Sequence, residues 1–196
     1  MKNILIIIGH TRSTSLSHAI AEKYAKGARE SGNHVKMLNL SKMNFDPVLH
    51  DDLTKNNILE PDLKKAQKEI MLADHLVFVY PTWWGTMPSL LKGFIDRVFI
   101  PGFAYEYEKT SRKFNPFPER LLKGKSARII TTTGGSRLIY MLLTNPGTWG
   151  MRHFVLYFSG VRPVRTTIFS KVHPGMDAKR VKKILEKAEK LGKRAA

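Results

Sequence analysis

The pattern that most constrains this chain is an alternation of short hydrophobic runs with segments of helical period. Residues 4–8, 35–40 and 76–80 are runs of strand length, whereas 16–28, 63–72 and 90–99 repeat apolar side chains every three or four positions. The alternation continues with a strand at 127–132, a Gly-interrupted helix-prone stretch through 151–158, a strand at 164–169 and an amphipathic helix from 177 to about 191. Strands that alternate with helices suit parallel pairing, which needs long crossovers, and such crossovers are right-handed. The first, third and fourth strands are nearly continuous aliphatic or β-branched runs, as strands covered on both faces require. The sequence therefore predicts an α/β chain with a doubly wound, five-stranded parallel sheet in a three-layer αβα sandwich. The spacing suits strand order 2-1-3-4-5.

With 196 residues, 42% of them hydrophobic, the chain can bury one sizeable core, and residues 1–196 are predicted to form a single domain. It has no cysteine, which excludes disulfides, thiolate zinc sites, iron–sulfur clusters and cysteine nucleophiles. The seven histidines form no close pair with ligand spacing, so no metal site is predicted. Redox chemistry here requires a borrowed cofactor. Residues 4–8 are too short for a signal-peptide core, and no run approaches the roughly 20 apolar residues of a membrane span, so a soluble cytoplasmic protein is predicted. Net charge is +17, concentrated in the second half, and the last 46 residues hold 12 basic and 3 acidic groups. Such a field attracts anionic partners but equally describes a solvated face. No helix-turn-helix, zinc module or aromatic strand reader accompanies it, and no nucleic-acid partner is predicted.

In open α/β sheets ligands sit beyond the carboxyl ends of the strands where the strand order reverses, which selects three loops. The first, Gly9-His10-Thr11-Arg12-Ser13-Thr14-Ser15-Leu16-Ser17, lacks a P-loop and has a single glycine, so it is no dinucleotide fingerprint. A hydroxyl-rich loop opening a helix offers N–H groups and the positive dipole end to a phosphate, with His10 and Arg12 adding donors. Equally, Ser15 serves as a helix cap alone. The second loop, Tyr80-Pro81-Thr82-Trp83-Trp84-Gly85-Thr86-Met87-Pro88, carries two adjacent tryptophans that cannot enter one core together. At least one is expected to line the crevice and wall a flat ring, the competing reading being a core or interface Trp. The third, Thr131-Thr132-Thr133-Gly134-Gly135-Ser136, lets main chain approach a ligand closely; Gly-Gly is also a common turn.

Taken in order, these loops and the block Lys92-Gly93-Phe94-Ile95-Asp96-Arg97-Val98-Phe99 resemble the NAD(P)H:quinone oxidoreductase family, of flavodoxin-like fold, over roughly residues 2–170. The resemblance implies that His10, Ser15, Leu16 and Ser17 hold a flavin phosphate. It implies that Pro81, Thr82, Trp83 and Trp84 hold one side of the ring and that Thr132, Thr133, Gly134 and Gly135 hold its pyrimidine edge. Tyr140 falls where the family has a Tyr assisting charge relay, but Asn145-Pro146-Gly147 stands where a His is usual; His153 could replace it if the loop folds back.

The implied cofactor is FMN or FAD, with NAD(P)H as co-substrate, a quinone-like acceptor and a ping-pong cycle. The resemblance also implies a homodimer, for which the aromatic excursion at 99–117 is the candidate interface. A second reading makes the chain an ancillary flavoprotein subunit, docked on a membrane transporter through its basic half.

Overall fold

The computed structural model describes residues 1–50, 59–107, 118–143 and 145–195. In chain order it builds β1 (Asn3–Ile8), α1 (Leu16–Glu30), β2 (His34–Asn39), α2 (Pro61–Leu72), β3 (His75–Pro81) and α3 (Ser89–Val98). A two-stranded antiparallel pair follows, β4 (Tyr105–Glu106) and β5 (Glu119–Arg120), then β6 (Ser126–Thr132), α4 (Arg137–Leu142), α5 (Pro146–Gly150), a π-helical stretch at Met151–Tyr157, β7 (Val164–Phe169) and α6 (Ala178–Lys193). The main sheet is parallel throughout with order β2-β1-β3-β6-β7, which is the expected 2-1-3-4-5 counted over its five strands.

Alternate residues of each central strand enter different layers because side chains alternate across a pleat. Leu5 and Ile7 of β1, with Leu76, Phe78 and Tyr80 of β3, meet α2, α3 and the π-helical stretch. Ile4, Ile6 and Ile8, with Val77 and Val79, meet α1 and α6. This two-sided burial is the physical source of the unbroken apolar runs. Each buried Ile or Leu contributes about 1.5–3 kcal/mol relative to exposure.

Three differences from the sequence reading have local causes. Helix α2 starts at Pro61, two residues before the periodic apolar pattern, since proline at the first turn lacks only a donor the helix leaves free. Helix α4 is six residues long, below the length at which a helical period can be counted. The helix-prone stretch is helical at Met151–Tyr157, with π geometry that the sequence reading did not specify.

The block Lys92–Phe99 serves the scaffold. Arg97, nearly buried, donates to Glu60 Oε2 at 2.9 Å and to the Asp46 carbonyl at 2.7 Å, tying α3 to the start of α2. Gly93 lets α3 lie against Pro47, whose Cβ would be 2.5 Å from a Cβ at that position.

Candidate functional site

The ladder of the sheet continues past the strand ends and levels the loops. Gly9 N–H donates to the Val79 carbonyl at 2.9 Å, Thr82 N–H to Thr132 at 2.8 Å and Thr133 N–H to Phe169 at 2.9 Å. Between these loops lies a cleft of about 770 Å³.

One end is built for an anion. Ser15 caps α1, its Oγ accepting the His18 N–H at 3.4 Å, and it also lines the cleft, so capping and lining are not exclusive. Leu16 and Ser17, the first two helical residues, make no main-chain hydrogen bond through N–H among the described residues, as helix geometry dictates, and both line the cleft. No acidic side chain occupies the first turn, which leaves the positive end of the dipole uncompensated. His10 Nδ1 accepts the Arg12 N–H at 3.0 Å, which puts the proton of the neutral ring on Nε2. Burial, then the neighbouring Arg12 and His18, hold the His10 pKa below its ordinary value and keep the ring a neutral donor at pH 7.

The ends of β3 and β6 complete the cleft. Pro81, Thr82 and Trp83 line it, with Thr132, Thr133 and Gly134 of the adjacent strand end beside them. Trp83 meets His10 edge-on, with centroids 5.4 Å apart. Trp83 and Thr86 exchange N–H and carbonyl bonds across a two-residue turn in which Trp84 (φ 50°) and Gly85 (φ 74°) are both left-handed. That turn swings Trp84 away: its side chain is wholly exposed and is not part of the cleft wall. Gly135 also stands outside the wall, its N–H directed to Thr133 Oγ1 at 3.4 Å.

Tyr140 is nearly buried and reaches the site indirectly. Its hydroxyl lies 2.9 Å from Thr82 Oγ1, which lies 2.8 Å from Thr131 Oγ1. Behind it, the Tyr80 hydroxyl donates to the Gly147 carbonyl at 2.7 Å, and burial raises the Tyr80 pKa above that of an ordinary phenol. His153 does not come to Tyr140. Its Nδ1 bonds the Trp149 carbonyl at 2.9 Å and its ring rests on Trp149 and Tyr157.

A fourth wall was not read from the sequence. Val172, His173, Pro174, Gly175 and Met176, with Val181 of α6, close the cleft beside the fifth strand. The signal was present in the Pro174-Gly175 breaker after that strand.

Within the excursion at 99–117, residues 108–117 lie outside the described residues. Of the rest, Phe99 and Ala104 are buried, and Phe103 and Tyr105 pack on the core. No helix among the described residues is long and apolar enough to cross a membrane.

Fold and cleft together define a class: the chain belongs to the flavodoxin-like fold family, whose family model matches residues 2–193. Within it the chain is similar to NAD(P)H dehydrogenase (quinone) 1 of Cavia porcellus, 31% identical over an alignment of 185 residues that covers 82% of this chain and 65% of the relative. It is 37% identical over 138 residues to an uncharacterized NAD(P)H oxidoreductase of Haemophilus influenzae, covering 68% of this chain and 65% of that one. The chain thus spans just under two thirds of the length of both relatives. The solved NAD(P)H:quinone oxidoreductase of Methanothermobacter marburgensis superposes with a TM-score of 0.84 at 25% identity, covering 100% of this chain and 99% of its own.

Proposed function

We propose that this chain is an NAD(P)H-dependent oxidoreductase that holds a flavin, FMN or FAD, and reduces quinone-like acceptors by a ping-pong mechanism. The observation that carries the proposal is one cleft lined by two chemically distinct sets of groups. A cation-flanked helix N-terminus with free N–H groups is one, and Pro81 to Trp83 with the adjacent Thr132, Thr133 and Gly134 is the other. A phosphorylated, planar heterocycle matches both sets, and a cleft of about 770 Å³ lies within the usual range for such ligands.

Ser15, Leu16 and Ser17 would hold the phosphate, with His10 as a neutral donor and Arg12 as counter-charge. Trp83, Pro81 and Thr82 would bury one side of the ring, and Thr132, Thr133 and Gly134 would meet its polar edge. Bound there, a flavin supplies a two-electron carrier that takes hydride from NAD(P)H and gives it to the acceptor. The protein's share is to orient the ring, exclude water and aim donors at the edge where negative charge grows. One cleft serving both co-substrates in turn requires the spent nicotinamide to leave before the acceptor enters.

We further propose a cytoplasmic homodimer. Leu138, Ile139, Met141 and Leu142 of α4 are each more than half exposed, apolar side chains that a second copy would cover. In the excursion at 99–117, most apolar side chains of the described residues 99–107 serve the core.

Half-reactions test the cycle. With flavin-loaded protein under anaerobic conditions, NAD(P)H alone should release one oxidised nicotinamide per site and bleach the visible flavin band, and a benzoquinone added afterwards should restore the colour. Turnover only when both co-substrates are present together would contradict the proposal.

A further inference from the structure

Hydrogen bonds around Thr82 converge on its hydroxyl. Thr131 is fully buried, and its hydroxyl has one partner among the described residues, Thr82 Oγ1 at 2.8 Å. Tyr140 is 7% exposed, and its hydroxyl likewise has one side-chain partner, Thr82 Oγ1 at 2.9 Å. The Gly147 carbonyl accepts the Tyr80 hydroxyl. A buried O–H without an acceptor is costly, and Thr82 Oγ1 is the one side-chain partner of each hydroxyl among the described residues, so both are read as donors to Thr82. A hydroxyl oxygen accepts two such bonds through its two lone pairs, which leaves the Thr82 proton as its only remaining capacity. Of the three residues Thr82 alone lines the cleft, and its main chain is pinned by the N–H bond to the Thr132 carbonyl at 2.8 Å.

We infer that Thr82 is the hydroxyl donor this protein presents to the polar edge of its bound ring, and that Tyr140 and Thr131 are positioning residues acting through it. The inference rests on the flavin reading above. Two donors converging on Thr82 Oγ1 polarise its O–H and fix its direction, since hydrogen-bonded chains strengthen cooperatively. A donor so aimed interacts more strongly with the electron-rich, reduced ring than with the oxidised one, and it carries no charge of its own. Tyr140 keeps its link to the chemistry without contacting the ring, which is how the site operates with Asn145-Pro146-Gly147 where a His is usual.

The test is the midpoint potential of the bound flavin, measured by spectroelectrochemistry on flavin-loaded wild type, Thr82→Val, Thr82→Ser, Tyr140→Phe and the double variant Thr82→Val/Tyr140→Phe. Expected are a more negative potential in Thr82→Val, recovery in Thr82→Ser and a smaller negative shift in Tyr140→Phe. Adding Tyr140→Phe to Thr82→Val should cause no further shift. If Thr82→Val fails to fold by circular dichroism, Thr82→Ala takes its place in the series. A potential unchanged by loss of the Thr82 hydroxyl overturns the inference, as does a full Tyr140→Phe shift in the Thr82→Val background, which would put the phenol itself on the ring. A wild-type chain that binds no flavin removes the underlying reading as well, and the binding titration alone reveals that case.

Discussion

Gly27 on α1 and Gly192 on α6 bring the two helices into main-chain contact where they cross. A Cβ on Gly27 would stand 3.0 Å from the Lys193 nitrogen, and one on Gly192 2.9 Å from the Ala28 nitrogen, with backbone carbonyls closer still. Helix propensity favours alanine over glycine by about 1 kcal/mol, whereas forcing a methyl into a filled interface costs about 1–3 kcal/mol. Since the obstructing atoms are main chain, the second effect should win. Gly192→Ala is expected to lower the urea midpoint. A stabilised variant would show that the crossing has slack.

A methyl at Gly147 would enter the space of the Tyr140 hydroxyl and Thr82 Oγ1, the latter at 2.5 Å. Gly147→Ala should displace both hydroxyls and lower kcat by about 10- to 100-fold, the scale of an ångström-sized misplacement. Gly150→Ala, at a position outside the cleft wall where an added Cβ meets nothing within 4 Å, is the comparison for a general effect of added methyls. Equal loss in both variants would remove the special role of Gly147.

Stability should fall on acidification through His75. Its ring is buried and bonded to the Ser126 hydroxyl at 2.8 Å and to Tyr24 at 3.4 Å, while Arg128, Lys2 and Arg165 bring only positive charge nearby. Burial first, and these cations second, pull its pKa from 6.5 down to about 4. The folded chain therefore resists a proton that the unfolded chain accepts. The contribution is fully present above pH 6.5, is lost as pH falls toward about 4, and amounts to about 3 kcal/mol at most. Urea midpoints should show this slope in wild type and a flatter one in His75→Gln. An unchanged slope would assign the acid sensitivity to other groups.

Trp84 holds a left-handed conformation, φ 50°, with its side chain wholly exposed. Asparagine adopts that conformation more readily, so Trp84→Asn should raise stability by about 1 kcal/mol and leave flavin affinity unchanged. Trp83→Ala should weaken affinity instead. Loss of binding in Trp84→Asn would return its ring to the site.

Much of this molecule was legible in its sequence because two-sided burial writes itself as unbroken apolar strands. Residues 4–8 and 76–80 fixed the sheet interior, and the strand-end rule led to Ser15, Thr82 and Gly134. What escaped depends on relations between loops. Which of two adjacent tryptophans faces the cleft is decided by a turn with two left-handed residues, one of them a tryptophan that sequence reasoning would not place there. The wall at 172–176 is tied to the third loop by main-chain bonds from Lys171 N–H to the Gly135 carbonyl and from Val172 N–H to the Thr133 carbonyl, across more than 30 residues. The link from Tyr140 to the cleft is a side-chain bond across 58 residues, to which no spacing rule applies.

The claim on which the account turns is that the cleft between α1, β3 and β6 holds a flavin. Titration of the purified, flavin-free chain with FMN and with FAD, followed by quenching of flavin fluorescence, tests it directly. The account predicts saturation at one flavin per chain with at least one of the two nucleotides, weakened at least tenfold by Trp83→Ala. Undiminished flavin fluorescence with both nucleotides at concentrations well above that of the protein would contradict it.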